Sequence, residues 1–98
     1  MSEERILTQH PKGKDGVNIL RSKYETIKEF ILETLKKYEE ITFDELTDMA
    51  DEKLSSSFDG KVIWYVVTVK LDLEARGLIE RIPKTSPHKL RLTATHSK

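Results

Sequence analysis

One stretch, Gly60 to Leu78 with the sequence GKVIWYVVTVKLDLEARGL, constrains this chain more than any other. Read as a helix, it carries Val62, Val66, Val69 and Leu73 at the i, i+4, i+7 and i+11 positions of one apolar line. Roughly opposite runs a second line of Trp64, Val67, Leu71 and Ala75. The polar residues are left on two narrow edges, Thr68–Asp72–Arg76 and Lys70–Glu74. A helix that is apolar on two sides has to be covered on two sides, so it belongs at the centre of the fold. Gly77 can take the left-handed position that ends a helix, and a strand-like apolar segment follows at once.

Around that helix there is material for one domain. The chain has 98 residues, 37% of them apolar, enough for a single small core but not for a separate catalytic domain. It has no cysteine, hence no disulfide framework, thiolate metal site or cysteine nucleophile. No apolar run has the length of a signal peptide or a membrane span, so a cytoplasmic protein without membrane contact is expected. The net charge of zero hides an uneven distribution: residues 1–23 carry +2, residues 24–75 carry −7 and residues 76–98 carry +5. A basic C-terminal third beside an acidic middle bears directly on what such a domain can bind.

Taken in order, residues 1–21 read as an N-terminal arm packing on the domain, 22–92 as the domain itself and 93–98 as a flexible tail. The arm holds a turn-rich loop, His10 to Gly16, and a short extended piece around Val17 and Ile19. It is the nearest segment able to cover the second apolar line, a second copy of the chain being the alternative. Ser22 and Glu25 have the spacing of a capping box opening a helix over 22–38, with Tyr24, Ile27, Ile31, Leu35 and Tyr38 on one face. Thr42 and Glu45 repeat the device, with Ile41 and Leu46 placed as a hydrophobic staple. The outer face of this second helix is acidic: Asp44, Glu45, Asp48, Asp51 and Glu52 against Lys53 alone. Asp59 is expected to cap the central helix. Leu78–Ile82 and His88–Leu92, joined through Pro83 and Pro87, read as a hairpin, and Ile41–Phe43 can add a third strand.

Three helices followed by a hairpin, with a short strand between the first two helices, is the order of a winged helix (winged helix-turn-helix-like). It is a mainly α fold: a three-helix core with a small antiparallel β-sheet forming the wing. The run Leu73-Glu-Ala-Arg-Gly-Leu-Ile-Glu-Arg81 resembles the helix-to-wing junction of many bacterial winged-helix transcription regulators. In those proteins the leucine four residues before the glycine packs in the core, and Gly-Leu-Ile opens the wing. Taken whole, the chain resembles a small uncharacterised bacterial winged-helix family of unknown function. The resemblance rests on His10-Pro, Gly13-Lys, Gly16-Val, Lys23-Tyr, Thr42-Phe, Trp64-Tyr, Thr68 through Gly77, and Ser86-Pro. It implies the fold and supplies no catalytic or ligand residues.

Winged helices of this kind usually place the third helix in the major groove, where reading base edges needs Arg, Lys, Asn or Gln facing outward. Here the outward face offers Trp64, Val67, Leu71 and Ala75, and the second helix opposes phosphates with carboxylates. The wing is different. Arg81, Lys84, His88, Lys89 and Arg91 make it cationic, and Lys12 and Lys14 of the arm add to it if they lie nearby. The expectation is therefore a non-catalytic binding domain, of the DNA-binding transcription-regulator type, whose contact with double-stranded DNA is weak and made through phosphates at the wing. The alternative is a protein-interaction or homodimerisation module with Trp64, Val67 and Leu71 at its interface. A solvated rim of cations satisfies the same residues.

Chemistry finds little foothold. His10, His88 and His96 are far apart in sequence and lack neighbouring ligands at metal spacing, so they read as surface or hydrogen-bonded histidines. The Lys12-Gly-Lys-Asp-Gly16 loop lacks Walker spacing, and Ser55–Ser57 lacks a nucleophile elbow. Tyr24, Tyr38 and Tyr65 read as packing residues, and Trp64 as the largest single burial in the chain. No enzyme and no cofactor are expected.

Overall fold

In chain order the computed structural model, which describes residues 4–10, 12–13, 16–84 and 88–93, runs β1 (Arg5–Leu7), β2 (Asn18–Leu20), α1 (Arg21–Tyr38), β3 (Ile41–Thr42), α2 (Phe43–Leu54), α3 (Val62–Ala75), β4 (Ile79–Ile82) and β5 (Lys89–Leu92). The result is a small α/β domain of three helices and two antiparallel sheets. β1 and β2 pair with each other, Arg5 opposite Leu20 and Leu7 opposite Asn18. The second sheet has the order β3-β5-β4, so that Leu90 lies between Ile41 and Arg81.

The core forms where the apolar periods converge. Ile27, Ile31 and Leu35 of α1, Leu46 and Ala50 of α2, and Val62, Val66, Val69 and Leu73 of α3 are buried, with Ile79 and Leu90 closing the end. Each large aliphatic side chain moved from water into such a cluster contributes about 1.5–3 kcal/mol. The first apolar line of α3 is thus core along its whole length, and the helix is central as its pattern requires.

The helix ends show how local chemistry sets the boundaries. Thr42 caps α2 as expected: its Oγ1 accepts from the Glu45 amide at 3.1 Å, and the Glu45 carboxylate accepts from the Thr42 amide at 3.0 Å. Those bonds, the backbone one first, hold the Glu45 carboxyl below its ordinary value. Ser22 is not the N-cap of α1. α1 starts one residue earlier, at Arg21, with Leu20 as its N-cap and no side-chain bond. β2 runs straight into the helix, and the Arg21 amide, at the first helical position, donates to the Glu4 carbonyl of the arm at 2.8 Å. Asp59 does not cap α3 either. Lys61 is the N-cap, and the exposed Asp59 side chain lies two residues too early, 3.9 Å from the Lys23 ammonium. The other end of α3 follows its sequence closely. Gly77 sits at φ +77, its amide donates to the Glu74 carbonyl, and the Leu78 amide donates to the Leu73 carbonyl, a Schellman motif.

Gly16 has a different reason to be glycine. A Cβ there would fall 1.5 Å from the Thr8 carbonyl oxygen. That contact lets Thr8 and Val17 exchange two bonds, Thr8 amide to Val17 carbonyl at 2.9 Å and Val17 amide to Thr8 Oγ1 at 2.8 Å. The arm is thereby a closed hairpin, with Thr8 and Ile19 buried.

Candidate functional site

The flank of α3 that faces the arm is locked by one carboxylate. Asp72 is fully buried. It accepts from the Gln9 amide at 2.8 Å, from the Tyr24 hydroxyl in a short bond, and from Arg76 Nε at 3.0 and 2.9 Å to its two oxygens. Three parts of the fold, arm, α1 and α3, therefore meet at one side chain. Burial, followed by the hydrogen bond to Asp72, pushes the Tyr24 phenol well above its ordinary 10.0. The Asp72 bond is also the main cause that raises the Arg76 guanidinium. Nothing in the spacing of Asp72 distinguished it from a solvated helix carboxylate. The usable signal was its place on the same edge as Thr68 and Arg76, beside a tyrosine on the core-facing stripe of α1.

The opposite edge carries buried Lys70 and half-buried Glu74, with Nζ and Oε2 2.7 Å apart. The Lys70 ammonium also lies 5.2 Å from the centre of the Phe43 ring. Phe43 in turn stacks on His88, ring centres 5.9 Å apart at 15°. His88 Nε2 is buried without a hydrogen-bond partner among the described residues. Burial pushes the His88 imidazole below its ordinary 6.5, and Arg81 and Lys70 add to this against Glu74 and Asp44. The shift favours the neutral imidazole, so His88 is the weakest contributor of charge to the wing.

The remaining wing cations are divided between two faces. Residues paired across a ladder share a face, which places Lys89 and Arg91 with Ile82 and Glu80, and Arg81 on the other side with Leu90. Arg91 is held by Glu80 at 2.6 Å. Arg81 and Lys84 are exposed at the tip, Lys84 at φ +64. Lys12 is exposed on the arm, where its amide donates to His10 Nδ1 at 3.1 Å. Lys14 and His96 lie outside the described residues, as does Ser86-Pro. Glu80, paired with Arg91, interrupts the run of cations along the wing.

The second apolar line of α3 is open only in its N-terminal half: Trp64 is 45% exposed and Val67 36%, beside Ile63 at 52%, while Leu71 and Ala75 are half-buried. Two expectations fail here. The described residues of the arm do not cover Trp64 or Val67: its strands pack on α1, and Gln9 meets α3 at Asp72. Trp64 is not the largest burial either, since its indole makes an edge contact with Tyr65, centres 4.9 Å apart, and turns the rest of its surface outward. Tyr65 is itself wedged against Phe58, 5.0 Å away, with the Lys23 ammonium 5.3 Å from its centre. The loop passes so close that a Cβ on Gly60 would fall 2.8 Å from the Tyr65 ring. Tyr38, expected in the core, is 50% exposed at the end of α1. With Asp51 and Ser55 at the end of α2, Ile63, Trp64 and Val67 line an open depression between α2 and α3.

The chain belongs to a family of unknown function, DUF6958, whose model matches residues 5–90. No curated protein and no solved structure gives a significant match. No helix among the described residues is long and apolar enough to cross a membrane.

Proposed function

We propose that this chain is a non-catalytic winged-helix binding domain that engages a protein, and not a DNA groove, through the outward face of α3. The element order, with β3 beside β5 at one edge of the hairpin, supports the winged-helix reading. The observation that carries the protein-binding reading is the exposure of Ile63, Trp64 and Val67 where a duplex reader needs polar donors. Two cations of the same helix are already engaged, Lys70 by Glu74 and Arg76 by Asp72. The neighbouring face of α2 repels phosphate. An exposed tryptophan with aliphatic neighbours on a rigid helix is the composition of an interface anchor.

A photoactivatable cross-linking side chain in place of Ile63, in cells making the protein at its natural level, tests this reading. Expected is a discrete adduct that resists nuclease and is removed by protease. A nuclease-sensitive adduct, or none, overturns it. The second reading, a wing-led phosphate contact, is favoured by Arg81 and Lys84 being exposed at the tip. It requires binding to mixed-sequence duplex at low salt that is abolished by Arg81→Ala with Lys84→Ala and by moderate salt.

A further inference from the structure

The β4–β5 hairpin meets the helices at a ring that can change its charge. His88 stands immediately before β5, and its backbone carbonyl accepts from the Phe43 amide at 3.3 Å. Phe43 is the first residue of α2. The same two residues also stack their rings, so a backbone bond and a side-chain contact close one seam together. Further in, Ile41 lies opposite Leu90. We propose that His88 is an acid-sensitive joint, whose protonation parts the hairpin from the start of α2. The proposal does not depend on what α3 binds.

The surroundings of the ring carry it. His88 Nε2 is enclosed and has no hydrogen-bond partner among the described residues. In the neutral ring that nitrogen can remain a bare acceptor, whereas the imidazolium bears N–H on both nitrogens. An enclosed charged donor without an acceptor is strongly disfavoured. Two carboxylates act on the ring, Glu74 from α3 and Asp44 from α2. Glu74 is already held by Lys70 at 2.7 Å, and Asp44 is exposed. Against them stand two cations, Arg81 from β4 and Lys70 from α3. A cation over an aromatic face is ordinarily attracted to it. Here the Lys70 ammonium is already 5.2 Å from the centre of the Phe43 ring, so a second positive charge on the stack meets the first.

The imidazolium finds its acceptors in water once the ring swings off Phe43. The neighbouring 3.3 Å backbone bond is long for its type and is the first to yield. Burial, then Arg81 and Lys70, make the folded chain take up this proton at a lower pH than the unfolded chain does. The seam is therefore intact above the ordinary 6.5 and weakens as the pH falls through the lower midpoint of the folded chain.

The test is amide hydrogen exchange followed by NMR at about pH 7.5 and about pH 5, each rate compared with that of an unstructured chain at the same pH. The His88 ring is titrated in the same samples. Expected are a His88 midpoint below 6.5 and a loss of Phe43 amide protection of about tenfold or more on acidification. The Ile31 amide in the core of α1 should keep its protection. His88→Phe retains a ring for the stack but takes no proton, so its Phe43 amide should be equally protected at both pH values. His10 and His96 are unchanged in that variant, which assigns the difference to position 88. A His88 midpoint at or above 6.5 overturns the proposal. So does a low midpoint with Phe43 protection unchanged, since the ring would then charge in place. Loss at Ile31 together with Phe43 means acid unfolding of the whole domain and overturns it as well. If His88→Phe loses protection as the wild type does, another group drives the opening and the proposal fails. Should His88→Phe not fold, the wild-type midpoint and the contrast between Phe43 and Ile31 decide the question alone.

Discussion

The two flanks of α3 begin from similar sequence and end in opposite states. On the arm side, an aspartate that could have been left in water is buried and gathers a backbone amide, a phenol and a guanidinium. On the α2 side, a tryptophan, an isoleucine and a valine that could have been buried are left largely open. Hydropathy alone predicts the reverse. A buried carboxylate is stable only when every lone pair has a donor, and the arm, α1 and the next turn of α3 together provide them. An exposed apolar ridge is kept only if nothing in the chain reaches it. Among the described residues, the arm meets α3 at Asp72 and leaves Trp64 and Val67 exposed. The comparison therefore separates what holds the domain together from what the domain has left to offer.

The sharpest way to break that comparison is Asp72→Ala. It strands the Tyr24 hydroxyl, the Gln9 amide and the Arg76 guanidinium together, with Tyr24 buried. The expected loss is about 3 kcal/mol, or a fall in melting temperature of roughly 15 °C for a domain of this size. Thermal unfolding followed by circular dichroism measures it. A loss no larger than that of a surface substitution would mean that Asp72 is not what joins the arm to the helices.

Much of this was legible beforehand, and the failures share a cause. The helices, the hairpin, the capping box at Thr42 and the glycine stop at Gly77 are local, encoded by residues within a turn of each other, and the structure has them. The Ser22 and Asp59 caps were expected on equally local grounds, but the helix starts moved: β2 runs into α1 at Arg21, whose amide the arm's Glu4 carbonyl accepts, and α3 begins at Val62, two residues beyond the reach of Asp59. The hub at Asp72 joins residues 48 and 63 positions apart, which no periodicity records. The wing was read as cationic from its composition. Register and cross-strand pairing then divided it, because Glu80 stands opposite Arg91. The open ridge was visible as a second apolar line, but whether the arm would reach it depended on where a hairpin folds back.

A finer cut through the locked flank is Tyr24→Phe, which removes one donor and keeps the ring. The expected loss is about 1.5 kcal/mol, within the range for a hydrogen bond to a charged group. The same change should alter the response to alkali. Burial and the Asp72 bond favour the neutral phenol, so the folded chain holds this proton above the ordinary 10.0. The contribution is complete below about pH 10 and declines as the pH rises, since the unfolded chain releases the proton first. Urea unfolding at pH 8 and at pH 10.5 should therefore show a steeper alkaline loss in the wild type than in Tyr24→Phe. Equal slopes would remove Tyr24 from the account.

The smallest expected effect is on the open flank, and its smallness is what it tests. Val67→Thr keeps the shape of the side chain and replaces one methyl with a hydroxyl. At 36% exposure that hydroxyl can reach water, so neither cavity nor unpaired polar group results. The helix loses little, because both residues are β-branched. Stability should therefore stay within about 0.5 kcal/mol of the wild type. At the adjacent position, on the core side of the helix, Val66→Thr buries its hydroxyl and should cost clearly more, because Val66 has no access to solvent. Paired melts of the two variants weigh the two sides of one helix with the same chemical change. If Val67→Thr destabilises as much as Val66→Thr, the ridge is part of the core and has nothing to offer a partner. If it is silent in the melt but lowers the cross-linking yield at Ile63, what the ridge contributes is recognition.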